Sequence, residues 1–292
     1  MFLVTGATGS LGRRIVRSLC RRGESVRAFV RLEARYADLE QLGAEIFIGD
    51  LCHRELIERA LQGVRYVISA HGSGPGGNVS QVDYQANIDL IEAAQKQAVD
   101  HFVFVSVLGA DRYYDDAPVF KAKREVEKYL SRHSLPYTIL RPSGFASDLL
   151  ARARNFERTG FYLLIGRKEN RTSIVSTDDL SEIAIHCVSL PEARNRTFAV
   201  GGPESLRRDE IPCIFEKVFN RAGQILHLPI EVFDAARSLI GLVNPAIGRD
   251  LGTLRVLLAN EYTCDPHEVQ QVFSIELESL HHFLRRNLQF ST

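Results

Sequence analysis

A run of strand formers, Phe2-Leu3-Val4, leads directly into Thr5-Gly6-Ala7-Thr8-Gly9-Ser10-Leu11-Gly12, after which apolar residues recur at Ile15, Val16 and Leu19. The order is strand, glycine turn, helix. In such a unit the first glycine permits a tight turn, the second lets backbone amides approach a pyrophosphate, and the third lets helix and strand pack closely. The amides around the turn, with the positive end of the helix behind them, favour bound phosphate. Gly6, Thr8, Gly9, Ser10, Leu11 and Gly12 are therefore candidate cofactor contacts.

The same alternation continues down the chain. Strands are predicted over 25–30, 45–50, 66–70, 101–106 and 137–141, with helices over 36–42, 55–61, 83–97 and 120–131 between them. That pattern predicts a parallel sheet covered on both faces, an α/β fold of the Rossmann-type, doubly wound kind. Beyond residue 145 the alternation loosens, although 171–175 and 197–200 still read as strands around a helix at 179–189. We expect a dinucleotide-binding Rossmann domain over 1–205, with a substrate-side insertion at about 146–170. A small, mostly helical C-terminal substrate-side region, 206–292, is expected not to fold independently. The stretch His71-Gly72-Ser73-Gly74-Pro75-Gly76-Gly77-Asn78 follows the fourth strand, on the sheet edge where open α/β folds bind ligands, and is expected to be a mobile loop beside the cofactor.

Composition narrows the function classes. The 292 residues carry 36 Lys plus Arg against 36 Asp plus Glu, so no global field points to nucleic acid or an anionic membrane. The arginine pairs Arg13-Arg14, Arg21-Arg22 and Arg285-Arg286 are expected to be solvated helix faces. The first strand starts at residue 2, leaving no room for a leader, and no long uncharged apolar run exists, so a cytoplasmic protein without a transmembrane segment is expected. Cys20, Cys52, Cys187, Cys213 and Cys264 are scattered and odd in number, as reduced structural thiols would be, and no metal site is expected.

The end of the second strand selects the cofactor. NAD-preferring enzymes usually place an acid there to hold the adenosine ribose hydroxyls, whereas this chain has Val30-Arg31. A guanidinium matches the 2′-phosphate of NADP(H) in charge and donor geometry, and Arg13 is placed to add a second positive group. Glu33 is the nearby residue that would favour NAD. Asp50 and Leu51, ending the third strand, are candidates to hold the adenine; Asp50 could equally cap the following helix.

These residues, together with Phe104-Val105-Ser106, Lys123 with Glu127 four positions on, and Arg141-Pro142-Ser143-Gly144-Phe145, resemble the atypical short-chain dehydrogenase/reductase superfamily, in its NmrA-like branch. That branch includes isoflavone-reductase-like enzymes and photosystem assembly factors. The resemblance covers about residues 1–205 and implies that the nicotinamide lies near the ends of the fourth to sixth strands. It thus adds Ser69, Ala70, His71, Pro142 and Ser143 to the candidate cofactor contacts. It implies no single reaction. Members with a Tyr-x-x-x-Lys pair use the tyrosine to protonate a carbonyl; here Val119 stands four residues before Lys123 and Ala117 four before Lys121. Tyr113 and Tyr114 lie upstream in the 111–118 loop. Phe120-Lys121-Ala122-Lys123 instead resembles the Phe-x-x-Lys of the isoflavone-reductase-like enzymes, which implies that Lys123 is catalytic and binds the ribose, with Ser106 orienting the substrate. His71 is expected to face solvent, where it could also donate a proton.

Two function classes remain. One is an NADPH-dependent reductase of a small carbonyl or conjugated double bond. The other is a catalytically silent NADP(H)-binding redox sensor or assembly factor with a protein partner. Val232, Ala236, Leu239, Ile240 and Val243 recur at helical spacing, a stripe expected to close over the substrate pocket or pack on the core, or else to form a partner or membrane-surface face.

Overall fold

The computed structural model describes residues 1–74, 76–114 and 116–288. Pro75 of the glycine-rich stretch, Asp115 of the 111–118 loop and residues 289–292 of the C-terminal region lie outside the described residues.

Strands β1 (Phe2–Thr5), β2 (Val26–Val30), β3 (Glu45–Ile48), β4 (Tyr66–Ser69), β5 (His101–Val105), β6 (Tyr137–Pro142) and β9 (Arg196–Val200) form one sheet in the order β3-β2-β1-β4-β5-β6-β9. Every pairing in it is parallel, so the doubly wound fold expected from the alternation is the one observed. Successive strand residues point to opposite faces, and here both faces are covered. Phe2, Val4, Ala28, Val30, Val103 and Val105 join one core with helices α1 (Ser10–Arg21) and α7 (Thr177–His186). Leu3, Phe29, Val67, Phe102 and Phe104 join the other with α3 (Arg54–Ala60), α4 (Ala86–Lys96) and α5 (Pro118–Ser131). The short α2 (Ala37–Gln41) lies between β2 and β3. The helix expected over 83–97 starts earlier, as a π-helical turn over Ser80–Gln85 that runs into α4.

The rest of the chain departs further from the sequence reading. The expected 146–170 insertion holds a 3₁₀ turn (Ala146–Leu149), helix α6 (Leu150–Thr159) and strand β7 (Phe161–Ile165). The strand expected over 171–175 is reduced to β8 (Arg171–Thr172), paired antiparallel with β10 (Leu206–Arg207), while Val175 bridges Phe145. After helix α8 (Glu210–Phe219), strand β11 (Gln224–Leu228) pairs parallel with β7. These strands were hidden because each is short and finds its partner far away in sequence. Helices α9 (Ile230–Val243), α10 (Pro245–Ala259), α11 (His267–Phe273) and α12 (Leu280–Leu288) complete the chain.

The apolar stripe on α9 is exposed, with Leu239 66% and Val243 89% accessible and no residue of the helix buried. It neither packs on the core nor closes the pocket. Its partner α10 does the closing: Leu251, Leu254 and Leu257 face the site described below. In the α9–α10 hairpin Gly241 and Gly248 allow close approach, Arg255 pairs with both oxygens of Asp234 at 2.7 and 3.0 Å, and Arg237 Nε donates to the Gly248 carbonyl at 3.0 Å. The five cysteines are free thiols. Among the described residues no helix is long and apolar enough to cross a membrane, and no cluster of His, Cys, Asp and Glu has a metal-ligating arrangement.

Candidate active site

The glycine turn joins β1 to α1 at the carboxyl edge of the sheet. Gly6 has φ +66°, and a Cβ there would lie 2.5 Å from the Ala70 carbonyl oxygen at the end of β4. A Cβ on Gly12 would collide with the Gly6 carbonyl, so helix and turn touch backbone to backbone. Gly9 differs: a Cβ there would meet only the Gly6 oxygen, at 3.3 Å, and the residue borders open space. The helix behind it has no side-chain cap and no acid in its first turn. An uncapped helix start beside an opening that a side chain would fill fits a bound pyrophosphate.

From this turn a cleft of about 680 Å³ runs along the ends of β4, β5 and β6 and under α10. Gly9, Ser10, Leu11, Gly12, Ala70, His71, Ser106, Lys123, Pro142 and Ser143 line it. Thr8, Arg13, Arg31, Asp50, Leu51 and Ser69 do not; Arg31, Asp50 and Leu51 flank the ends of β2 and β3. Arg31 is exposed and has no ion-pair partner among the described residues. Arg13 is committed elsewhere: it pairs with Asp38 and donates to the Arg35 carbonyl at 2.6 Å. The Arg13 guanidinium holds the Asp38 carboxyl down to about 2. Asp50 accepts from the Cys52 amide at 2.9 Å, which lowers its pKa. It therefore closes a turn ahead of α3 and does not cap that helix, whose N-cap position is His53.

Lys123 is buried in the cleft wall. Its Nζ donates to the Val105 carbonyl at 2.9 Å and to the His71 carbonyl at 3.4 Å, and sits 4.8 Å from the centre of the Phe104 ring. Burial pulls its pKa down, while Asp83 and Glu127 pull it up. Two of its three N–H groups are spent, leaving one. Ser106, at the end of β5, donates its hydroxyl to Glu127, and Glu127 is clamped by Arg141 at 2.6 and 3.0 Å.

His71 corrects the expectation of a solvent-facing side chain, being only 6% accessible. Its Nε2 lies 3.2 Å from the Val82 carbonyl, which can only accept, so that nitrogen carries the proton. Nδ1 then accepts from Thr5 Oγ1 at 2.8 Å. Burial, reinforced by Lys123, lowers the His71 pKa to about 3. A neutral imidazole whose N–H is already bonded is no proton donor. Ser143 gives its hydroxyl to the Ser173 carbonyl, and Ser69 gives its own to Asn87 at 2.7 Å. Val119 lines the cleft, so the position that would carry a tyrosine does face the site, as an alkyl group. Neither loop tyrosine takes its place: Tyr113 is exposed beneath Arg124 and Lys128, and Tyr114 packs edge-on against Phe120.

Several residues of the site carry no early sequence signal. Asp83, 2% accessible, accepts from the Ser73 amide at 3.0 Å and so anchors the glycine-rich stretch. Only the Lys123–Glu127 spacing hints at the Ser106–Glu127–Arg141 clamp, and nothing marks α10 as a roof. The arginine pairs are largely neutralised: Arg14 meets Asp178, Arg22 meets Glu182, and Arg286 meets Asp178 and Glu278. A separate depression of about 500 Å³, lined by Tyr66, Asp100 and His101, lies at the opposite edge of the sheet.

A uncapped glycine turn and an open cleft along a parallel sheet define a dinucleotide-binding protein, and comparison with known proteins agrees. Residues 6–191 match a family profile described as NAD(P)H-binding, and the chain belongs to that NAD(P)H-binding, NmrA-like family of atypical short-chain dehydrogenases/reductases. It is 30% identical over 241 residues to the photosystem II assembly factor Ycf39 of Trieres chinensis, covering 82% of this chain and 75% of that protein. It is 27% identical over 245 residues to an NAD(P)H azoreductase of Xenophilus azovorans, covering 83% and 82%. The fold matches triphenylmethane reductase of Citrobacter sp., solved with NADP(H), at a TM-score of 0.78 and 19% identity over 99% of this chain and 100% of that one.

Proposed function

We propose that the chain is an NADPH-dependent reductase of a small conjugated acceptor, an enone, quinone or related double bond, in preference to an isolated carbonyl. The observation that carries this reading is the chamber beyond the glycine turn. It is walled by Val105, Val107, Val119, Leu251, Leu254 and Leu257, with Lys123 as its one buried cation. These apolar residues are not among those assigned to the dinucleotide, which supports an apolar ligand held beside it in the same cleft. Bound NADPH supplies hydride. Arg31, unpaired at the end of β2, is assigned to its 2′-phosphate. Lys123 is assigned to the nicotinamide ribose through its remaining N–H, and its charge favours negative charge developing on the acceptor. The Ser106 hydroxyl proton is committed to Glu127, so Ser106 orients the acceptor by accepting a hydrogen bond or by contact. The engaged donors of His71, Ser106 and Ser143 support acceptors that delocalise the incoming electrons and take their proton from water, or from Lys123 relayed through the ribose hydroxyl.

The second reading, an NADP(H)-binding assembly or escort factor, is favoured by the exposed α9 face and by the Ycf39 relatives. One experiment separates the two. NADPH-loaded protein is mixed with enones, quinones, azo compounds and simple ketones while absorbance of the reduced nicotinamide is followed. Turnover with conjugated acceptors and little with ketones supports the reductase; tight NADPH binding with no turnover across the panel supports the escort factor.

A further inference from the structure

Next to the cleft lies a side pocket of about 210 Å³, and the two share Ser143, Gly144, Phe145, Asp148 and Leu257 as a common wall. Two arginines, Arg152 of α6 and Arg208, line this pocket with Tyr162 and Tyr262. Arg208 reaches the C-terminal end of α10: Nη1 donates to the Leu258 carbonyl at 2.5 Å and to the Ile165 carbonyl at 3.3 Å, and Nη2 donates to the Leu257 carbonyl. Helix-end carbonyls fix the guanidinium and supply a fraction of a negative charge. Those two carbonyls and that of Ile165, at the end of β7, use three of its five N–H donors and leave two.

Among the described residues no carboxylate answers Arg208. The charged and titratable groups around it are Tyr162, Tyr262 and Arg152, and burial holds its pKa below the usual arginine value. Arg152 makes no ion pair among the described residues; its neighbours are Tyr162 and Asp148, whose carboxyl burial pushes upward while Arg152 pulls it down. Arginines nearby are treated differently: Arg141 is clamped to Glu127 and Arg207 to Asp209. The pocket thus holds two guanidiniums against one carboxylate, with Leu164, Ile174 and Ile211 among its walls. Uncompensated positive charge in such walls draws an anion, and paired planar donors suit a carboxylate best.

We propose that this side pocket is the subsite for a carboxylate on the substrate, whose apolar conjugated body fills the cleft. The assignment rests on reading the cleft as a substrate chamber, but it is testable by binding alone. Cinnamate and its neutral isostere cinnamamide are titrated calorimetrically into NADP⁺-loaded protein at low and high salt. Cinnamate is expected to bind at least about tenfold more tightly, with an advantage that shrinks as salt rises. Arg208→Gln and Arg152→Gln are each expected to erase most of that advantage while leaving NADP⁺ affinity unchanged. Arg208 also ties down α10, so the exposed Arg152 is the variant on which the test stands if Arg208→Gln fails to fold. Equal binding of acid and amide, an advantage that survives Arg152→Gln, or no detectable cinnamate binding at millimolar concentration overturns the proposal. Selective cinnamate binding in a protein that reduces nothing in the acceptor panel upholds the subsite and removes the reductase reading.

Discussion

The two walls of the cleft are built on opposite terms. The sheet-edge wall, from the glycine turn through His71, Ser106 and Lys123, is backbone packed on backbone, and nearly every polar group in it is bonded. The roof, α10 with α9 behind it, is a helical hairpin carrying leucines toward the cleft and apolar side chains toward solvent. The first wall leaves little freedom for a ligand other than a dinucleotide. The second contributes shape and apolar area without directional bonds, so it selects by size and greasiness.

The largest expected effect breaks the first wall. Gly9→Val places a branched side chain where the pyrophosphate is assigned and should abolish NADPH binding with little change in thermal stability. Gly12→Val should instead cost folding itself, because its Cβ strikes the Gly6 backbone. Calorimetric titration and melting curves of the two variants test the contrast; comparable melting temperatures would show that the turn is not packed as described. Lys123→Met follows: kcat for the best acceptor should drop roughly 10²-fold, the scale of acid–base and charge assistance, with a modest change in cofactor affinity. Steady-state kinetics with unchanged kcat would remove Lys123 from the chemistry.

Arg31→Asp should narrow or reverse the preference for NADPH over NADH by roughly 10- to 100-fold, whereas Arg13→Ala should move it little, since that guanidinium already belongs to Asp38. Binding constants for both cofactors decide it. The buried histidines of the Rossmann half give a pH test. Burial lowers His71 to about 3 and His101 to about 4. Below about pH 6.5 the unfolded chain takes up protons on both imidazoles while the folded chain does not, so stability is lost as pH falls toward 4. Each should cost nearly 3 kcal/mol, about 1.4 per pH unit, by about pH 4.5. Asp179, which burial raises to about 6, acts in the opposite direction. The informative quantity is therefore the slope of denaturant stability with pH, which should be shallower in His101→Gln. Smallest is the roof: Leu254→Ser should raise KM for the acceptor roughly fivefold through lost apolar contact and leave NADPH binding intact. A loss of NADPH binding there would join the two walls into one unit.

How much of this was readable beforehand depends on how local each determinant is. The βα unit at residues 2–19, the strand alternation and the arginine at the end of β2 were all legible, since each rests on neighbours a few positions apart. The valine at position 119 was legible too, but only its placement in the cleft wall shows that this position faces the site and offers it no proton donor. His71 was misread because a histidine opening a glycine loop looks exposed, whereas the π-helical turn bringing Val82 over it is invisible to a pattern of period 3.6.

Chain order and periodicity by themselves determined the parallel sheet, the glycine turn and the class of cofactor, because short-range sterics and side-chain alternation leave few other solutions. Tertiary structure alone decided the rest. It spent the Ser106 hydroxyl on Glu127, paired Arg13 with Asp38, brought Leu257 of the C-terminal region into the cleft that Lys123 lines, and left the α9 stripe facing solvent. Those outcomes depend on contacts between segments tens to more than a hundred residues apart, whose geometry is set by how the packed layers close and not by any local preference.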